Sequence, residues 1–255
     1  MYKMYLDGYA TLTGVATAED FAPYLEWRSL RRMEGMAKDA LLCSCRALEQ
    51  AGIDIKIPKD MGLSIAVGGG ALESTCKFMD SILADGDELS SPTAFAGSVH
   101  NSTGLALSLS LHLQGPCVTI GQFDFSFPAA LLTAGQFLQS GASTQALVVV
   151  ADDVNPVLAD CAPQYSAQFQ HIVRQLSGPF VRHSAAFVLS AKPTQYTQFE
   201  LKEISFSRTN QDGKETLPPA EKLARLLAAG TSFELHDLFA GATFCLKGDP
   251  YVKPK

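Results

Sequence analysis

"GPCVTIGQFDFSF", residues 115–127, carries a Gly-Pro stop, a short apolar strand and a turn that feeds an apolar helix predicted from about Pro128 to Gln139. "QALVVVADD", residues 145–153, then supplies the clearest buried strand in the chain. A strand running through "CVTIGQF" into that helix sets residue 124 at or just before the helix N-terminus, where the macrodipole favours an anion. A cysteine there would have a lowered pKa and act as a thiolate nucleophile. The residue is Asp124, which enjoys the same electrostatics but cannot hold an acyl chain as a thioester does, so Asp124 or Ser126 would merely cap the helix.

The flanking segments extend this strand-helix alternation. Residues 1–14 alternate as a strand punctuated by Gly8 and Gly14, and "SLRRMEGMAKDALLCSCRALEQAGI" (29–53) spaces Met33, Met36, Ala40, Leu41, Ala47 and Leu48 as a buried helix face. "MGLSIAVGGG" (61–70) reads as a buried strand handing over to a helix from about Leu72 to Leu83. Residues 86–97 turn to Gly, Asp, Ser and Pro and predict a surface loop. "SVHNSTGLALSLSLHLQG" (98–115) predicts a helix with Ser98 or Asn101 as N-cap and Gly115-Pro116 as its stop. "CAPQYSAQFQHIVRQLSGPF" (161–180) has little periodicity, whereas "RHSAAFVLSAK" (182–192) and "FELKEISFSR" (199–208) predict strands, the second half-exposed. "PPAEKLARLLAAG" (218–230) predicts a short helix, and nothing after Gly230 predicts an element. The sum is a layered α/β sheet in one domain spanning 1–255, with a core at about 4–190 and a C-terminal extension at 191–255.

A chain of 255 residues, 47% hydrophobic and 18% charged, is long enough for a sizeable core. Its net charge of -6, with Lys and Arg scattered, offers no footprint for phosphate backbones or anionic lipid, so nucleic acid and membrane surfaces are poor partners. Five of the six cysteines sit in apolar or helix-like surroundings, as inert thiols do in a reducing compartment. Cys43 and Cys45 form a C-x-C pair with no second pair nearby, and the expectation is no metal and no cofactor. The N-terminus lacks a secretory h-region, and no apolar run approaches the roughly 20 residues of a spanning helix, so the cytoplasm is the expected compartment.

Three clusters invite a chemical reading. Gly68-Gly69-Gly70 follows a strand and precedes a helix, but without G-K-S/T or G-x-G-x-x-G it reads as a tight turn rather than a phosphate cradle. Asp152 and Asp153 end the strongest strand and, without a third ligand in reach, read as strand-end caps. His100 lies in a helix-start setting, where Ser98 or Ser102 could supply a nucleophile, although nothing like G-x-S-x-G is present.

"SPTAFAGSVHNSTGLALSLSLHLQGPCVTI" (91–120), followed by "ALLTAGQFLQSGASTQALVVVADD" (130–153), resembles the N-terminal half of the β-ketoacyl synthases, and the likeness extends loosely from about residue 4 to 190. The resemblance implies a thiolase-like fold, of which this chain would be a single half. It places the family's nucleophilic cysteine at Asp124 and expects small residues and a glycine where Phe125, Ser126 and Phe127 stand. The family's two histidine motifs, resembling H-G-T-G-T and N-G-F-G-G, do not occur after residue 130, and His171, His183 and His236 match neither. Residues 193–255 are too few for a second α/β half, so the chain reads as a truncated relative without acid-base machinery.

In that family active chains pair across a two-fold axis with central strands edge to edge. Some inactive relatives, the chain length factors, pair instead with one active ketosynthase and shape the tunnel that receives the growing chain. The resemblance implies that role here, most like the partner subunits of aryl polyene pathways that use an acyl carrier protein, with "CVTIGQF" as the pairing strand and no catalytic residue. Tunnel end and interface would come from Phe95, Ser98, His100, Asn101, Phe123, Phe125 and Phe127; the bland reading of any one ring is core packing. Two alternatives stand: a freestanding acyl-thioester hydrolase or transferase using His100 or the Asp152-Asp153 pair, and a scaffold that only stabilises a ketosynthase.

Overall fold

The computed structural model describes residues 3–86, 90–122, 125–152, 183–208, 217–239 and 242–253. Along the chain these form β1 (Met4–Thr13), α1 (Ala18–Phe21), a 3-10 turn (Trp27–Leu30), α2 (Gly35–Gln50), β2 (Met61–Ala66), α3 (Leu72–Asp85), α4 (Pro92–Ser98) and α5 (Ser102–Ser110). There follow β3 (Cys117–Ile120), α6 (Ser126–Ser140), β4 (Gln145–Asp152), β5 (His183–Ser190), β6 (Phe199–Arg208), α7 (Pro219–Ala228), β7 (Phe233–Phe239) and β8 (Ala242–Pro250). The strands make an 8-stranded sheet in the order β3-β2-β4-β5-β1-β6-β8-β7. β2 pairs in parallel with β3 and β4, and the remaining neighbours are antiparallel.

The central strands are apolar on both faces, so helices must cover both. Leu147, Val149 and Ala151 of β4 and Ala186 and Val188 of β5 pack beneath α2 and Leu107 of α5. The alternate residues, Ala146, Val148 and Val150 with Ala185, Phe187 and Leu189, pack beneath α6 and α7. α2 approaches β1 so closely that a Cβ on Gly8 would stand 2.3 Å from the carbonyl oxygen of Ala47. Next to that contact β1 bulges between Leu6 and Gly8. The extra residue, Asp7, is fully buried; Ser190 Oγ and, at 2.6 Å, Thr197 Oγ1 donate to its carboxylate.

Residues 191–255 do more than extend a finished core. β6, β8 and β7 continue the sheet from β1, and Phe199, Leu201, Phe233, Leu235, Phe244 and Leu246 enter the same apolar cluster as α6. The hairpin β7–β8 lies where the sequence predicts no element. In β7 Asp237 is buried, and Lys222 of α7 neutralises it at 2.9 Å, a tertiary partner that no local pattern reveals.

Local structure also differs from expectation in four places. Residues 92–98 form a helix rather than a loop, because Ser91 Oγ accepts from Ala94 N at 3.2 Å and Pro92 occupies the first turn. α5 stops at Ser110, short of Gly115-Pro116, with His112 in a left-handed conformation at φ 54 just beyond. β3 ends at Ile120, and α6 starts at Ser126 rather than Pro128. Residues 161–180, with Cys161 and His171, and Asp153 lie outside the described residues. No helix among the described residues is long and apolar enough to cross a membrane.

His183 opens β5 opposite Asp152 of β4 and Thr13 of β1, and is buried. Neither ring nitrogen has a hydrogen-bond partner among the described residues, and Nδ1 stands 4.0 Å from Glu221 Oε2 of α7. Burial pushes its pKa below the ordinary 6.5, with Glu221 opposing. The unfolded chain therefore binds a proton that the native one resists, and stability falls as pH drops below that ordinary value. Denaturant titrations across that range should show this acid loss reduced in His183→Leu. In the same assay at neutral pH, Phe187→Ala, which empties a fully buried ring site, should cost about 3–5 kcal/mol.

Candidate functional site

The carboxyl ends of the parallel strands β2, β3 and β4 converge, which is where open α/β sheets bind ligands. Three features meet there: the glycine turn after β2, the start of α6, and His100 between α4 and α5. The Gly68 N–H donates to Asp152 Oδ1 at 2.6 Å, so strand-end carboxylate and glycine turn explain each other as a tight turn. Gly70 adopts φ 70, and the His100 ring lies against it; a Cβ on Gly70 would meet His100 Nε2 at 2.5 Å. The same ring covers Gly121 after β3. Ser126 Oγ accepts from Gln122 N at 2.8 Å and donates to the Val67 carbonyl at 3.3 Å, tying the α6 turn to the end of β2. Ser126 is thereby committed to the main chain.

Cys43, Cys45 and Cys117 all hold their protons more tightly than a free thiol. Burial pushes the Cys43 and Cys45 thiols up to about 12, and the Cys43 thiol donates to the Ser184 carbonyl at 3.4 Å. Cys117 is exposed overall, yet its Sγ tucks against α5, where a Cβ on Gly104 would come within 3.5 Å, and burial of the sulfur raises its pKa too.

The residues expected to build tunnel and interface fall into two groups. Phe95, on α4, is 56% exposed and packs its ring 5.2 Å from Phe78 of α3. Ser98 Oγ donates to the Phe95 carbonyl at 2.8 Å, and Asn101 stands exposed at the N-cap position of α5 without a side-chain cap bond. With His100 these line the α4–α5 corner. Phe125 and Phe127 lie instead at the start of α6 and diverge, because the early helix start breaks the period-two alternation. Phe125 packs 5.3 Å from Phe206 of β6, whereas Phe127 is 3% exposed and packs 5.5 Å from Phe187 in the core. Phe123 and Asp124 lie outside the described residues. Phe206 continues to Phe244 at 5.5 Å, so an aromatic row runs from the α6 turn along β6 and β8. Sequence reasoning missed it, although the alternation of "FELKEISFSR" held the signal.

β3 is the edge strand nearest this site. It hydrogen-bonds β2 alone, in register from Leu63↔Cys117 to Ala66↔Ile120, and no strand among the described residues occupies its outer side. Apolar side chains flank that edge. On the α5 side Leu105 and Leu109, four residues apart on one helical face, are 60% and 66% exposed. Val118 of β3 is 38% exposed, on the strand face it shares with Ile120, which packs towards α6. The leucines of α5 are spread round the helix, so burying Leu107 in the core leaves Leu105 and Leu109 facing water.

Comparison with known proteins matches this geometry. The family model for the β-ketoacyl synthase N-terminal domain matches residues 21–237. A chain of the complex of a ketosynthase (ApeO) with its chain length factor (ApeC) from Xenorhabdus doucetiae superposes with a TM-score of 0.68 at 16% identity, over 97% of this chain and 100% of that one. A chain of the ishigamide ketosynthase/chain length factor gives a TM-score of 0.75 at 13% identity, covering 97% and 99% respectively. The ketosynthase from module 1 of the bacillaene synthase of Bacillus amyloliquefaciens FZB42 is similar at 14% identity and a TM-score of 0.54; the match covers 84% of this chain but 47% of that longer one. Comparison with curated proteins gave no match. The fold is thus the thiolase-like fold of the ketosynthases. With a family model covering most of its length, this chain belongs to the β-ketoacyl synthase N-terminal domain family.

Proposed function

We propose that this chain is a non-catalytic chain length factor, which pairs with an active β-ketoacyl-acyl carrier protein synthase and shapes the tunnel for the growing acyl chain. The observation that carries the reading is the β3 edge, unpaired among the described residues and flanked by exposed Leu105, Leu109 and Val118. An open strand edge beside apolar side chains invites pairing, and a partner that added a strand would satisfy backbone and bury apolar surface together. Asp124 at the family's cysteine position supports a chain that borrows its chemistry. The likeness to chains of ketosynthase–chain length factor complexes supports the kind of partner.

On this reading the partner supplies the cysteine and histidines, and acyl carrier protein reaches the complex through it. The α4–α5 corner with Phe95 and His100, and the α6 turn with Phe125, face the shared tunnel; Phe127 backs them from the core. Among the classes that use such a pair, the aryl polyene systems suit this chain, with polyketide-type condensation in the cytoplasm as its setting.

The test is coexpression with candidate ketosynthases, size-exclusion chromatography and product mass analysis. Leu105→Lys with Leu109→Lys should leave the monomer folded and abolish the complex, since both positions are exposed. Phe95→Ala should change product length without stopping condensation, and Asp124→Ala should leave turnover unchanged. A complex that assembles but loses turnover with Asp124→Ala would contradict the non-catalytic reading. Product length indifferent to Phe95→Ala would leave a scaffold instead.

A further inference from the structure

The opposite end of the sheet carries a side-chain cluster that the ketosynthase likeness does not explain. In the β7–β8 hairpin His236 and Cys245 stand directly opposite one another, and Glu234 stands two residues earlier on β7, hence on the same face. The other face of β7 turns Phe233 and Leu235 into the core, so the backbone fixes the three polar side chains together on the outer surface. Glu234 Oε1 lies 2.9 Å from His236 Nε2 and 3.5 Å from Cys245 Sγ, and the three atoms are all within 4.8 Å of one another.

The Glu234–Cys245 separation is that of two ligands on one small ion, and a modest turn of the exposed His236 side chain brings its nitrogen to the same point. Zinc binds nitrogen and oxygen at about 2.0 Å and thiolate at about 2.3 Å, so tetrahedral neighbours stand roughly 3.3–3.6 Å apart. A carboxylate, an imidazole and a thiol are the donor set that selects zinc over magnesium or calcium. We propose that Glu234, His236 and Cys245 form a zinc-class metal site that clips edge strand β7 to β8, with a water completing the coordination.

Charge also permits it. Thiolate and carboxylate together balance the dication, and binding breaks the S–H bond, forms the metal–sulfur bond and releases the proton to solvent, with no change of oxidation state. The competing cation already present is Lys247, whose Nζ lies 3.3 Å from Glu234 Oε1 and 3.6 Å from Glu203 Oε2. When a metal takes Glu234, the ammonium keeps Glu203. This site is independent of the partner edge at β3 and stands or falls without it.

The test is titration of the chelator-treated full chain with Co²⁺. Tetrahedral thiolate ligation gives a near-ultraviolet sulfur-to-cobalt band and intense visible bands, and Zn²⁺ should bleach both. The sulfur band should be lost in Cys245→Ser, and His236→Gln, altered on an exposed side chain, should lose the visible bands while circular dichroism stays unchanged. Lys247→Ala should tighten binding by removing the competitor. A wild-type chain without a sulfur band, a band that survives Cys245→Ser, or weaker binding in Lys247→Ala would overturn the assignment.

Discussion

Among the described residues, β3 uses only the inner side of its backbone. Its four residues take their hydrogen bonds from β2, while the outer row of N–H and C=O groups faces away from the sheet. β2, β4, β5, β1, β6 and β8 each have two neighbours; α2 and α5 cover one face from β2 to β1, and the cluster of α6 and α7 covers the other as far as β6 and β8. The cover thins at β3. Gly104 lets α5 settle onto Cys117 and Thr119, and the outward half of that helix keeps its leucines in water. An edge of this kind is a liability in a monomer and an asset in a pair.

The same end of the sheet holds the glycine turn after β2 and the start of α6. Asp152 holds Gly68, Ser126 holds the turns after β2 and β3, and the His100 ring seals two glycines. Asp152, Ser126 and Ser98 each bond main chain there. The far edge at β7 is managed differently, with Glu234, His236 and Lys247 lining the outer face of the hairpin.

Much of this was legible in the sequence, because several strands are either continuously apolar or alternate over most of their length. β4 and β6 announce themselves in this way, and so does the β2-to-α3 handover through the glycines. What stayed hidden depends on partners distant in sequence. α4 rests on the Ser91 cap within a Gly/Ser/Pro-rich run, and β7 conceals a buried aspartate that Lys222 of α7 neutralises. Phe127 looked like one of three alternating rings until the early start of α6 turned it towards Phe187. The Glu234-His236-Cys245 cluster needs the hairpin register to exist at all.

The central claim is that the outer side of β3 is where a synthase partner binds. Hydrogen–deuterium exchange of residues 117–120, measured on the chain alone and with its ketosynthase, tests it most directly. The amides that point away from β2 should exchange freely in the lone chain and become strongly protected in the complex. Formation of the complex with exchange at β3 unaltered would contradict the account, because the partner would then have docked on another face.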